Sequence, residues 1–179
     1  YNATQTIPIL GTSVTEYGVA LSIPDFNGTV GGNVSGTADL APLEEQAQMM
    51  LDLLPGLTAG SKIGILYCSA EPNSKYQSTE ITKYLTDDGY TCKEYTFADS
   101  NDVAAVTKTA CDESDVIYIP TDNTAASCAE SINNIAEPAK VPIVAGESGI
   151  CTGCGVATLS IDYYDLGVVT GNMAYEVLV

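Results

Sequence analysis

At 179 residues the chain is long enough to bury one full core, and 45% hydrophobic against 16% charged residues excludes disordered and fibrous classes. Twenty-three acidic residues face six lysines with no arginine and no histidine, a formal charge of −17, so nucleic acid and anionic membrane are poor partners. Without histidine, serine–histidine and cysteine–histidine catalysis are excluded within the chain and the commonest zinc ligand is missing; without arginine, so is the bidentate clamp for carboxylate or phosphate.

Taken in chain order, Thr6 to Val14 reads as a lone strand. Pro24 to Ser35 is a glycine- and asparagine-rich connector, and Pro42 to Leu54 is a helix with apolar residues at helical spacing. A boundary falls near residue 36. One strand cannot bury itself, so residues 1–35 read as the remnant of a first lobe plus a connector. From Ser61 the pattern alternates between strand and helix, as in a doubly wound parallel α/β sheet. Lys62–Cys68 (KIGILYC) is a buried strand, followed by a helix from Ser74 to Asp87 with Asn73 or Ser74 as cap and Gly89 past its end. Thr91–Phe97 is the second strand and Asn101–Cys111 the second helix; Asp115–Thr121 is the third strand and Thr124–Ala136 the third helix. Val141–Ala145 is a fourth strand, Val156–Ile161 a fifth, and Tyr163–Leu178 an amphipathic closing helix. The expected organisation is therefore a lobe over 36–162, with 163–179 returning toward the partial first lobe.

In an open doubly wound sheet, ligands bind beyond the carboxyl ends of the strands. The residues that follow the strands are polar: Ser69, Glu71, Asn73, Ser74 and Gln77; then Thr121, Asp122 and Asn123; then Gly146, Glu147 and Ser148; then Asp162 and Tyr163. Several carboxylates among neutral hydroxyls and amides suit an amine-bearing ligand such as an amino acid. Each residue taken singly also suits the plainer task of capping the helix it precedes. Tyr163 and Tyr164 either stack on the apolar part of a ligand or divide between core and rim.

Other motifs carry less. Gly28–Gly36 lacks the spacing and setting of a dinucleotide or phosphate loop, and no cofactor is implied. Cys151-Thr-Gly-Cys154 has redox or metal spacing in an expected loop, yet zinc would need two further ligands. Cys92 and Cys111 are placed either for a structural bridge or as free buried thiols. Asn2, Asn27 and Asn33 head glycosylation triplets, which matter only in a eukaryotic secretory setting.

Glu71-Pro-Asn-Ser74 with Gln77, Pro120-Thr-Asp-Asn123, Gly146-Glu147 and Ser160-Ile-Asp-Tyr-Tyr-Asp-Leu-Gly167 with Thr170-Gly171, together with Asn33-Val-Ser-Gly-Thr37 and Pro42–Gln46, resemble the substrate-binding components of ABC transporters. Some members of that family bind aromatic amino acids such as tryptophan or phenylalanine. The likeness runs from about Thr6 to the end. It implies a type I periplasmic binding protein fold, with two α/β lobes closing over a small ligand that is handed to a membrane permease. It also implies an extracytoplasmic location, on the cell surface as a lipoprotein or in the periplasm, and no catalysis. Carried over by position, Ser74, Asp122, Asn123 and Glu147 face the ligand from this lobe, with Glu71 and Tyr163 beside them; Ser13 and Thr15, at the end of the first strand, approach from the other. The family's chains begin upstream and continue past Val179, so this chain is expected to be a fragment, and residues 1–35 are free to pair with a second copy. A ligand-sensing module, or an enzyme on the same scaffold using Asp122, Glu147 or Cys151, are the alternative readings.

Overall fold

Two parallel ladders organise the chain, of which a computed structural model describes residues 3–179. It divides into a larger unit, Ala41–Ser160, and a smaller one made of the residues up to Leu40 together with Ile161–Val179.

In the smaller unit β1 (Ile9–Gly11) pairs in parallel with β2 (Val34–Gly36). The second strand comes from the tail of the expected connector. Gly36 has φ +151°, and a Cβ there would lie 2.1 Å from the Gly11 carbonyl oxygen, so the two strands meet at a point only glycine fits. Between them a short helix α1 (Tyr17–Leu21) is capped by the Glu16 carboxylate; five residues without a sustained apolar period left no sequence signal for it. Of the three glycosylation triplets, Asn2 lies outside the described residues, and Asn33 spends its side-chain amide on the carbonyls of Thr4 (3.2 Å) and Ile7 (2.6 Å).

The larger unit opens with α2 (Leu43–Leu53) and continues as β3 (Lys62–Cys68), α3 (Pro72–Asp87), β4 (Thr91–Phe97), α4 (Val103–Glu113), β5 (Val116–Ile119), α5 (Asn123–Ser127), α6 (Ala129–Ala139), β6 (Ile143–Ala145), α7 (Ser148–Cys154) and β7 (Ala157–Thr158). The sheet order is β4-β3-β5-β6-β7 and every pair is parallel, the doubly wound arrangement that the alternation implies. Helices α2 and α3 cover one face with Leu43, Ala47, Met50, Ile81 and Leu85. On the other, α4, α6 and α7 contribute Val103, Ala110, Ile132, Ala136 and Ile150. Strand β3 is buried on both sides, and each of Ile63, Ile65 and Leu66, fully shielded, is worth about 1.5–3 kcal/mol relative to an exposed position.

Within the larger unit the fifth strand, expected over 156–161, is confined to Ala157–Thr158, and two helical segments also differ from expectation. The single helix foreseen over 124–136 breaks at Cys128, whose φ of −110° and ψ of 9° end α5 before α6 begins. The Cys151–Cys154 stretch is helical rather than a loop, because the Glu147 carboxylate caps α7 and Gly153 lets that helix come close to α6: a Cβ at 153 would lie 2.4 Å from Ala129 Cβ. All six cysteines are free thiols. Cys111 belongs to one core and Cys92 packs on the other, across the sheet, so the bridge weighed between them is not formed. Among the described residues no three histidine, cysteine or acidic side chains gather as a metal site, and no helix is long and apolar enough to cross a membrane.

The closing helix α8 (Tyr163–Leu178) is capped by Asp162, whose Oδ1 accepts from the amides of Tyr164 (2.8 Å) and Asp165 (3.1 Å). It packs on β1 within the smaller unit, and Thr170 Oγ1 lies 2.9 Å from Thr37 Oγ1 and 3.1 Å from Thr12 Oγ1. None of its residues is buried.

Candidate ligand-binding site

Sheet order reverses between β3 and β5, and the chain leaves these two neighbours in opposite directions. A crevice at such a switch point is where doubly wound sheets bind ligands. The segments that follow them carry four of the residues expected from sequence, Glu71, Ser74, Asp122 and Asn123, and the fold joins all four in one hydrogen-bonded cluster.

Glu71 is the N-cap residue of α3 with Pro72 at N1, but its carboxylate serves another helix. Oε2 accepts from Asn123 N (3.0 Å) and Asn123 Nδ2 (3.1 Å), and Oε1 from Thr124 N and Oγ1, both at 2.8 Å. Asp122, only 1% exposed, caps the same helix α5: Oδ1 accepts from Ala125 N and Oδ2 from Cys68 N, each at 2.7 Å. The carbonyl of Thr121 accepts from Asn73 Nδ2, Ser74 Oγ and Gln77 Nε2, while Thr121 N donates to Gln77 Oε1. The loop after β5 is thus clamped to the first turns of α3. Ser74 and Asp122 are turned inward to hold it; Asn123 is exposed and Glu71 half-buried.

One strand further on, Glu147 caps α7, with Oε2 2.6 Å from Gly149 N and Oε1 bonded to Ile150 N. Ser148 N donates to Ser160 Oγ at 3.1 Å. Gly146 brings this loop flat against the previous one, since a Cβ there would sit 2.7 Å from Thr121 N. Behind both loops lies Gln46, fully buried, which sequence reading had treated only as part of a helix. Its Nε2 donates to the carbonyls of Gly146 (3.1 Å) and Leu159 (2.8 Å), and its Oε1 accepts from Tyr118 Oη at 2.5 Å.

Electrostatically the two central carboxyls diverge. Burial pushes Glu71 up, but the donors on Asn123 and Thr124 outweigh it and hold the carboxyl below its ordinary value. Burial pushes Asp122 above its ordinary value despite the amides of Ala125 and Cys68, and the neighbouring Glu71 charge adds to the rise. A lowered folded pKa means that stabilisation by Glu71 is present above its ordinary value of 4.5 and is lost as pH falls through the folded value. The raised Asp122 works in the opposite sense, its protonated form being the better tolerated. Glu71→Gln should therefore flatten the acid limb of a plot of melting temperature against pH below about pH 4.5, while leaving its neutral portion lower than wild type. An acid limb as steep as wild type's would remove Glu71 from this role.

In the smaller unit, the remaining expected residues also converge. Ser13 holds φ +54° and its N–H donates to Thr37 Oγ1 (3.4 Å); Val14 N donates to Thr37 O (3.3 Å) and Asp39 N to Val14 O (3.4 Å). These bonds carry the β1–β2 pairing onward and set Asp39 beside Ser13 and Thr15. Tyr163, 37% exposed, donates its hydroxyl to Asp39 Oδ2 at 3.1 Å. Asp39 was not foreseen as a site residue, lying between the expected connector, which ends at Ser35, and the helix expected from Pro42.

A "Tyrosine-binding protein" from Clostridioides difficile (strain R20291) is 35% identical over 181 residues, which is 99% of this chain and 50% of that protein. The chain therefore spans about half the length of this curated relative. Among solved structures, an ABC domain in complex with L-Trp from Streptococcus pneumonia superposes with a TM-score of 0.88 at 30% identity, covering 99% of this chain and 60% of that one. A conserved domain protein from Vibrio cholerae matches with a TM-score of 0.88 at 32% identity, covering 99% and 58%. The ligand-free, open structure of a substrate binding protein with adhesive properties from Clostridium difficile gives 0.66 at 34% identity, covering 99% and 59%. The family model for ABC transporter substrate binding proteins matches residues 1–179, and to that family the chain belongs.

Proposed function

We propose that the chain belongs to a solute receptor that binds an amino acid with an aromatic side chain on the extracytoplasmic side of a bacterial membrane and passes it to an ABC permease. The observation that carries this reading is the pair of aromatic amino acids named for two relatives that match 99% of the chain at 30% identity or more. The site chemistry supports it. At the switch point the cluster offers amide and hydroxyl groups on fixed loops, which suits recognition of a small polar head without proton transfer. Asn123, Glu71 and Glu147 are proposed as contacts from the larger unit, and Ser13, Thr15 and Tyr163 from the smaller. Ser74 and Asp122 act one layer behind, setting the loops. Binding without turnover is part of the proposal, since nothing in the cluster is arranged as a nucleophile with a base.

The test is a thermal-shift screen of the intact receptor against the protein amino acids and small amines. A ligand at 100 times its Kd stabilises the folded state by about 2.7 kcal/mol, a shift of several degrees. L-tyrosine, L-tryptophan or L-phenylalanine should raise the melting temperature, and glycine, glutamate and simple alkylamines should not. A response confined to non-aromatic ligands would overturn the aromatic assignment.

A further inference from the structure

We propose that Asp39 receives the ammonium group of the ligand, with Tyr163 as the residue that positions its carboxylate; the assignment rests on the amino-acid receptor reading and deepens it. Three acidic side chains foreseen near the ligand already have both oxygens engaged: Asp122 by the amides of Cys68 and Ala125, Glu71 by Asn123 and Thr124, Glu147 by Gly149 and Ile150. Asp39 differs. It is 5% exposed, Oδ2 takes the Tyr163 hydroxyl, and Oδ1 is buried with no hydrogen-bond partner among the described residues. The ion pairs among the described residues, on Lys83, Lys93 and Lys108, join other acids.

A buried carboxylate oxygen without a donor is costly, and such groups in native proteins call for a specific explanation. An ammonium supplies three N–H donors and the opposite charge at once. The position fits as well. The Asp39 N–H is tied to Val14 O, between Ser13 and Thr15, so the carboxylate belongs to the same patch as the hydroxyl residues expected to meet the ligand. Oδ1 is shut from solvent, so ligand entry requires the side chains over it to part. Tyr163 is the partly exposed member of the pair, and its hydroxyl keeps the carboxylate oriented from the far oxygen.

The experiment is calorimetric titration of the intact receptor with L-tyrosine and with 3-(4-hydroxyphenyl)propionate, which lacks only the amine. Wild type should prefer the amino acid by about 100-fold. Asp39→Asn, nearly isosteric, should weaken L-tyrosine by about 100-fold and leave the analogue within a few-fold, so that the preference collapses. Tyr163→Phe should weaken L-tyrosine by only about 10-fold and keep the preference, because the charge is still there. Equal binding of the two compounds by wild type overturns the assignment without any variant. An Asp39→Asn protein that keeps the preference overturns it as well, while the receptor reading stands. Failure of wild type to bind any aromatic amino acid overturns both.

Discussion

Replacing Asp122 with alanine is expected to lower the stability of the larger unit by about 3 kcal/mol, read as an earlier urea midpoint at unchanged slope. The substitution strands two buried amides, Cys68 N and Ala125 N, each now 2.7 Å from a carboxylate oxygen, and strips α5 of its cap. The loss is moderated because burial pushes this carboxyl above its ordinary value, so the charge carries a desolvation cost that alanine removes. Asp122→Asn keeps an acceptor for one amide but turns an NH2 toward the other, and should cost about 1–2 kcal/mol. Binding separates the two roles open to this residue. If Asp122 sets the loop, both variants bind L-tyrosine within about 10-fold of wild type at temperatures where they remain folded. A loss beyond about 100-fold in folded Asp122→Asn would place the ammonium on Asp122 after all, and take it from Asp39.

How much of this was legible in the sequence depended on whether local pattern or distant packing decided the outcome. Lys62–Cys68 and Thr91–Phe97 match their expected bounds residue for residue, because an unbroken or alternating apolar run that starts just after a glycine turn has few other folds open to it. The Tyr163–Leu178 helix was equally legible from Asp162 onward. Helix α7 was not: two glycines in seven residues argue against a helix, and only the approach to Ala129 explains why Gly153 is there. The rule that polar residues after parallel strands mark a site pointed to the sheet edge at which Glu71, Ser74, Asp122 and Asn123 are gathered. It could not say which of them face outward. Ser74 and Asp122 carry the same residue types as an exposed binding pair, yet their partners, Thr121 O in the loop after β5 and Cys68 N in β3, are about 50 residues away in the chain. Asp39 went unnoticed for the complementary reason: it follows a two-stranded ladder that local pattern did not announce, and its partner Tyr163 is 124 residues away.

Gln46 did leave a signal. It shares the buried face of α2 with Leu43, Ala47 and Met50, and a fully buried amide on an apolar stripe needs partners for both its ends. It finds them in Tyr118 and in the carbonyls of Gly146 and Leu159, which belong to the loops carrying Glu147 and Ser160. Gln46→Leu fits the stripe better by composition and should nevertheless destabilise the larger unit by about 3–5 kcal/mol, because it leaves the Tyr118 hydroxyl and two carbonyls without donors or acceptors. Tyr118 is wholly buried, and burial pushes its phenol upward, so it stays protonated and acts only as the donor in this pair. Tyr118→Phe should therefore cost less, about 1–2 kcal/mol, from the single unpaired oxygen on Gln46. Combined, the two changes should fall short of their sum by about 1–2 kcal/mol, since the second removes a group the first has already orphaned. Strict additivity would mean that the phenol–amide bond contributes nothing and that Gln46 acts through the two loops alone. In that case the affinity for L-tyrosine should follow Gln46 and ignore Tyr118, whereas a shared network makes both variants loosen the Gly146–Glu147 loop and weaken binding together.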